Sequence, residues 1–174
     1  MICMRKYRGF SLIELLIVVA IILIIAAIAI PNLMRARMAA NDSSAAASIH
    51  TIDVAEISYF ATFATVGFPA TLVPLGGAMP CTVSLATACL IDDNLAQNGG
   101  GNGKSGYSFA ATGSASPGSL ANDQFYVTGT PLASTTGTRA YCSVQDSVIR
   151  LQPPGTITLV GGYAACGALG PMNN

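Results

Sequence analysis

The chain has no tryptophan, one histidine and few charges of either sign. Only 9% of its 174 residues are Asp, Glu, Lys or Arg, against roughly 25% in an average soluble domain. Lys+Arg and Asp+Glu number 8 each, so the formal net charge is zero. That balance excludes a nucleic-acid binder built on a basic surface. Residues 64–174 contain no His, no Glu and a single Lys. Ser and Thr are plentiful there, but no base is at hand to activate one, which argues against nucleophilic catalysis. The lone His50 has no Cys or acid pair beside it and reads as a packing or surface residue. The cysteines show no C-x₂-C spacing, so a Cys₄ zinc site is disfavoured. What the chain has in quantity is apolar side chains, 52% of the total. That content excludes global disorder. It requires that much of the chain lie in a membrane or pack against further copies.

The charges that exist are unevenly placed. Arg5, Lys6 and Arg8 fall in the first nine residues, and Phe10 to Ile30 then carries one charge, Glu14. As an α-helix this run spans about 31 Å, close to the thickness of a bilayer core. Basic residues before an apolar run set the N-terminus in the cytoplasm and export the remainder of the chain. A cleaved secretory signal would be shorter and end in small residues. Here the run ends in Ile28-Ala29-Ile30-Pro31-Asn32, with no convincing Ala-x-Ala site, and Glu14 has no use in such a signal.

The string Arg8-Gly9-Phe10-Ser11-Leu12-Ile13-Glu14-Leu15-Leu16 resembles the cleavage and methylation motif of type IV prepilins and type II secretion pseudopilins, with type IVa-like pilins favoured. The resemblance covers roughly residues 5 to 60. It implies a cut between Gly9 and Phe10 by a prepilin peptidase, with methylation of the new amino group of Phe10. Cys3 is lost either way: it leaves with the leader if translation starts at Met1 and is never made if it starts at Met4. It further implies a single-pass protein of the inner membrane, cytoplasmic at its N-terminus, that polymerises with itself into an extracellular pilus. Its other partners are an assembly ATPase, an inner-membrane platform protein and a secretin; no cofactor is called for.

Glu14 has a physical role within that frame. A carboxylate in hydrocarbon is costly and normally paired, and its natural partner is the Phe10 amine of a neighbouring subunit. At 4 Å and an effective dielectric of 20 the attraction is of order 4 kcal/mol, less what desolvation removes. The pair favours association and fixes axial register. The plainer alternative is an interfacial charge that snorkels to water. Many family members carry a helix-breaking Gly upstream of the Pro. This chain reads Ile22-Leu23-Ile24 there and keeps only Pro31, which removes one backbone hydrogen bond and can kink a helix.

Residues 32–63 lack Gly and further Pro, and Ile49, Ile52, Tyr59 or Phe60, and Phe63 recur at helical spacing. The expectation is an amphipathic continuation of the helix, about 81 Å in all from Phe10 to Phe63, ended by Gly67 and Pro69. Asp53 and Glu56 are expected on its other sides, solvated or between subunits. The domain plan is therefore a leader over 1–9, a transmembrane and filament-core helix over 10–31, the continuation over 32–63 and a β-rich head over 64–174.

In the head, strand-like runs cover Tyr107–Ala111, Gln124–Thr128, Arg139–Val144, Val148–Gln152 and Thr156–Val160. Gln145-Asp146 and Pro153-Pro154-Gly155 punctuate them. The pattern predicts an antiparallel sheet of three to five strands packed on the helix stripe, and the whole is an α+β chain of the type IV pilin fold. Cys81, Cys89, Cys142 and Cys166 survive processing, an even number outside the cytoplasm, where disulfides are favoured. Four cysteines allow three connectivities. Pairing of sequence neighbours is expected, with Cys142–Cys166 tying the C-terminal segment to the sheet as in many pilins.

Two lookalikes are set aside. Asn98-Gly99-Gly100-Gly101-Asn102-Gly103-Lys104-Ser105 nearly matches a phosphate-binding loop, but Asn98 stands where Gly is needed and a strand, not a helix, comes next. Asp92-Asp93-Asn94 offers oxygen ligands of the kind calcium takes and reads more simply as a solvated turn. The Ser/Thr-rich surface suits subunit packing or O-linked sugar. The function expected is a structural pilus subunit, with adhesion, twitching motility and DNA uptake not separated. The alternatives are a type II secretion pseudopilin and, remotely, a membrane-anchored periplasmic enzyme or binding protein.

Overall fold

A computed structural model describes residues 10–152 and 162–172. The leader expected over 1–9 with Gly9, the break expected at Pro153-Pro154-Gly155 and the strand expected over 156–160 lie outside the described residues. Two compact units make up the chain, Met1–Ala36 and Arg37–Asn174. Helix α1 (Leu12–Thr62) is unbroken in its helical assignment and contains Pro31. Its residues Leu12 to Ala36 belong to the first unit and its remainder to the second.

In the second unit α1 presents Ala45, Ser48, Ile49, Ile52, Asp53, Ala55, Glu56 and Tyr59 to the interior. These positions recur every three to four residues, the width of one helix face. Of Tyr59 and Phe60, both compatible with the helical spacing, Tyr59 takes the interior place: it is 2% exposed, whereas Phe60 is 37% exposed. The Tyr59 hydroxyl donates to the Leu85 carbonyl at 2.8 Å. Phe63 lies partly buried at the edge of the same cluster. The helix closes at Thr62, and the Gly67 amide reaches back to the Phe63 carbonyl at 3.2 Å. Gly67 has φ +88, and a Cβ there would sit 2.2 Å from the Asn122 carbonyl oxygen. Only glycine fits that left-handed, close-packed position.

One correction concerns the two acids of this helix. Asp53 and Glu56 are neither solvated nor on another face; both are 0% exposed. Asp53 lies four residues after Ile49 and Glu56 four after Ile52, so both share the apolar stripe. Buried carboxylates are rare, which favours a solvated position, and the packing overrides that preference.

Four strands form one antiparallel sheet in the order of the chain, β1 (Tyr107–Ser114), β2 (Gln124–Pro131), β3 (Tyr141–Val144) and β4 (Arg150–Leu151). Tyr107 pairs with Pro131, Tyr126 with Val144, and Tyr141 with Leu151. The Gln145-Asp146 turn joins β3 to β4, with the Ser147 amide on the Val144 carbonyl at 2.8 Å. Tyr107, Phe109, Ala111, Phe125, Val127 and Tyr141 join Ile49, Ile52 and Tyr59 in one core. All four residues of β3 are buried, because its other face is covered too. There Cys142 and Val144 pack with Cys166 of α3 (Tyr163–Gly167).

The connection from α1 to β1 is long but anchored. Phe68, Leu72, Leu75, Ile91 and Leu95 enter the core. The Phe68 amide donates to the Asn122 carbonyl at 2.8 Å, and the Asn122 side chain donates back to the Phe68 carbonyl at 2.9 Å. A polar latch ties α1 to the sheet end. Asp42 accepts from the Tyr107 hydroxyl at 2.5 Å, the Thr138 hydroxyl at 2.9 Å and the Thr138 amide at 3.2 Å. Burial, then this bond to Asp42, pushes the Tyr107 phenol well above its ordinary value.

The fold predicts opposite outcomes on the two faces of α1. Ile49→Ala deletes a side chain from the core and is expected to lower head stability by about 2–5 kcal/mol in urea unfolding. Ile57, 47% exposed, is expected to cost under about 1 kcal/mol when changed to Ala in the same measurement.

Candidate assembly site

The described N-terminal unit begins at Phe10, which is 72% exposed and precedes the helix. The Ser11 carbonyl accepts the first helical bonds, from the Glu14 amide at 3.1 Å and the Leu15 amide at 3.2 Å. Leu12 is the first helical residue, so Glu14 is the third, and its carboxylate complements the unsatisfied amides of the helix N-terminus. Ser11 and Glu14 also have the spacing of a capping box, a local signal for this helix start that the motif overlies. Between Leu12 and Leu33 the large apolar side chains are exposed. An 18-residue window of this helix has a mean hydropathy of 3.3 and is 0% buried, so the helix is long and apolar enough to cross a membrane. Among the described residues Glu14 has neither an ion pair nor a side-chain hydrogen bond within its own chain.

This geometry is an apolar helix surface left exposed among the described residues. An apolar cylinder with no cover from its own chain gains about 25 cal/mol for each Å² removed from water. One acid close to its start adds a directional charge. Pro31 lacks the amide that would bond the Ala27 carbonyl, and helix is nonetheless assigned on both sides of it. Phe10, Glu14 and Pro31 lie in this unit, while the four mature cysteines lie in the head.

The head pairs Cys81 with Cys89 and Cys142 with Cys166. The first bridge closes a short exposed loop. The second fastens α3 to β3. Other candidate groups are engaged in local structure. Asp92 caps α2 (Asp93–Ala96), accepting from the Leu95 amide at 2.9 Å, and lies 3.5 Å from the Lys104 ammonium. Asp93 accepts from the Gln97 side chain at 2.7 Å. The glycine-rich segment leads into β1 and is stapled to it. The Asn98 side chain donates to Ser108 and accepts from the Phe109 amide, both at 2.8 Å. Among the described residues no three His, Cys, Asp or Glu side chains converge as metal ligands.

The charges of the head fall into two kinds. Asp146 and Arg150 form a paired bridge with contacts of 2.9 and 2.5 Å, and that pairing holds the Asp146 carboxyl below its ordinary value. Asp53 and Glu56 have no such partner. Burial pushes Asp53 up to about 7, countered in part by the Ser143 hydroxyl and reinforced by the charge of Asp146. Burial, then the charge of Asp53, pushes Glu56 up to about 8.

Comparison with known proteins bears on the N-terminal region. A family model, the prokaryotic N-terminal methylation motif, matches residues 4–30. That match overlies the start of the exposed, membrane-length part of α1. The chain is 65% identical over 40 residues to the type IV wide pilus major component PilA4 of Thermus thermophilus, across 23% of this chain and 30% of that protein. It is 48% identical over 55 residues to the type IV major pilin protein PilA of Myxococcus xanthus, across 32% of this chain and 25% of that protein. The chain thus matches less than a third of the length of either relative. The likeness to both type IV pilus proteins is confined to this N-terminal segment. No solved structure matches it.

The bridge between β3 and α3 is testable. Replacing Cys142 and Cys166 together by Ser is expected to cost about 3 kcal/mol of head stability. Urea unfolding of the oxidised parent and the variant checks this. Reduction should bring the parent down to the stability of the reduced variant, since Cys81–Cys89 opens in both.

Proposed function

We propose that this chain is the structural subunit of a type IV pilus, polymerising through its N-terminal helix. The observation that carries the reading is the exposed apolar stretch of α1, with Glu14 as its single acid, directly behind a processing motif. A prepilin peptidase cuts between Gly9 and Phe10 and methylates the Phe10 amine. The processed subunit waits in the inner membrane. An assembly ATPase and platform protein then raise it into the filament, which leaves through a secretin. In the filament Glu14 pairs with the Phe10 amine of a neighbour and sets its axial position. The role is non-enzymatic: the work done is burial of apolar helix surface between copies. The relatives that share the N-terminal segment, a pilus major component and a major pilin, agree with a pilus subunit, and the pseudopilin reading shares that same segment.

The test is mass spectrometry with N-terminal sequencing on filaments sheared from cells, set beside the membrane fraction. A sheared fraction dominated by this chain, starting at methylated Phe10, is the expected result. A processed chain confined to the membrane fraction would replace the pilus reading with the pseudopilin one. A different N-terminus would overturn both. Glu14→Ala is expected to leave cleavage intact and cut filament yield tenfold or more, since each 1.4 kcal/mol of lost association is about a factor of ten.

A further inference from the structure

The interior of the head holds two carboxyl groups that no other part of the fold accounts for. Asp53 and Glu56 are both fully buried on the face of α1 that meets the sheet. They enter the same interior as Phe125, Val127, Tyr141 and Tyr59, all within the core. One oxygen of Asp53 accepts from the buried Ser143 hydroxyl of β3 at 2.7 Å. The second oxygen of Asp53 and both oxygens of Glu56 have no hydrogen-bond partner among the described residues. Three bare carboxylate oxygens in an apolar core are not a stable arrangement of two anions. An ionised carboxylate without a partner in such a place is neutralised instead.

The surroundings offer no positive charge to do this. The buried polar residues described are Ser48, Asp53, Glu56, Thr128 and Ser143, with no Lys, Arg or His among them. Around the pair, α1 itself contributes the Tyr59 phenol, whose hydroxyl is spent on the Leu85 carbonyl. From β3 comes Ser143. From the β3–β4 turn comes Asp146, a like charge already paired with Arg150 of β4. Of the core residues that β1 and β2 supply, Phe109, Ala111, Phe125 and Val127 are apolar, and the Tyr107 hydroxyl is spent on Asp42 and the Arg139 carbonyl. A divalent cation is no better supported. It takes six to eight oxygens, and no third acidic, His or Cys side chain converges here among the described residues.

We propose that Asp53 and Glu56 are a proton-holding pair, two neutral carboxylic acids built into the joint between helix and sheet, so that the head is tightest in mild acid and loosens as they ionise in alkali. In the unfolded chain both groups release their protons near their ordinary values of 3.8 and 4.5, and in the folded head only near 7 and 8. Between those limits the unfolded state binds fewer protons than the folded one. Stability therefore falls as pH rises through that window and levels off above it. Protonation also gives each acid an O–H donor of its own, where the neighbouring Ser143 and Tyr59 hydroxyls are already spent.

The test uses the full-length processed chain in detergent micelles. Infrared spectra at pH 6 are expected to show a protonated-carboxyl C=O band that is lost as pH passes through 7 to 8. The band should be diminished in both Asp53→Asn and Glu56→Gln. Thermal melts followed by tyrosine near-UV circular dichroism, clean because the chain has no Trp, are expected to fall by about 10 °C or more from pH 5 to pH 9. The variant carrying both changes should lose most of that slope and melt above the parent at pH 9. If Glu56→Gln does not fold, Glu56→Leu removes the same proton with no polar group to bury. His50 is exposed on the other side of α1, and His50→Gln should leave the slope in place. Absence of the band at pH 6, a slope unaltered in every acid variant, or a slope abolished by His50→Gln would each overturn the proposal. So would calcium restoring the melt at pH 9 in the parent alone, which would make the pair a cation site.

Discussion

The rest of the structure depends on an apolar helix that its own chain does not cover. From Leu12 to Leu33 the large side chains of α1 face outward. Some twenty residues of this kind cannot remain in water, because each buried CH₂ is worth about 0.8 kcal/mol. Lipid and further copies of the same helix are the two media that satisfy them. Both are equally apolar, so what distinguishes them must be polar or steric. Glu14 is the one side chain in the stretch that can make that distinction.

The second half of the same helix is under the opposite constraint. Past Ala36 one face of α1 becomes the floor on which the head is built, and the sheet supplies the other wall. Few charged residues are left to specify the fit, and the head relies on other devices. Asp42 reaches across to Tyr107 and Thr138, Asn122 and Phe68 clasp each other's backbone, and Cys142–Cys166 holds α3 on the back of β3. Each joins segments far apart in sequence. They suit a small domain whose surface must stay nearly neutral and still pack beside neighbours.

Periodicity and punctuation make most of the architecture legible. The helix from the apolar run to Thr62, the beginnings of β1 and β2, the Gln145-Asp146 turn and the stripe of Ile49, Ile52 and Tyr59 are local matters. Spacing and turn residues decide them. The short strand β4 occupies only part of the strand-like run Val148–Gln152, and β1 and β2 each extend three residues beyond the pattern, to Ser114 and Pro131. Strand ends follow the partner's length, which a single strand does not contain. The misplacement of Asp53 and Glu56 has another cause. Their chemistry argues for water and their position argues for the core, and position decides.

The sequence by itself determined the association end of this protein. The basic leader, Gly9, Phe10, Glu14 and the uninterrupted apolar run act through their order along the chain, and a helix transmits that order directly into a surface. Tertiary structure alone decided the interior of the head. Which oxygen meets Ser143, which acid is left without a donor and which face β3 shares with α3 depend on residues some twenty to ninety positions apart. Contacts of that range carry no periodic signature, because they come from the closure of the sheet upon the helix and not from either element alone.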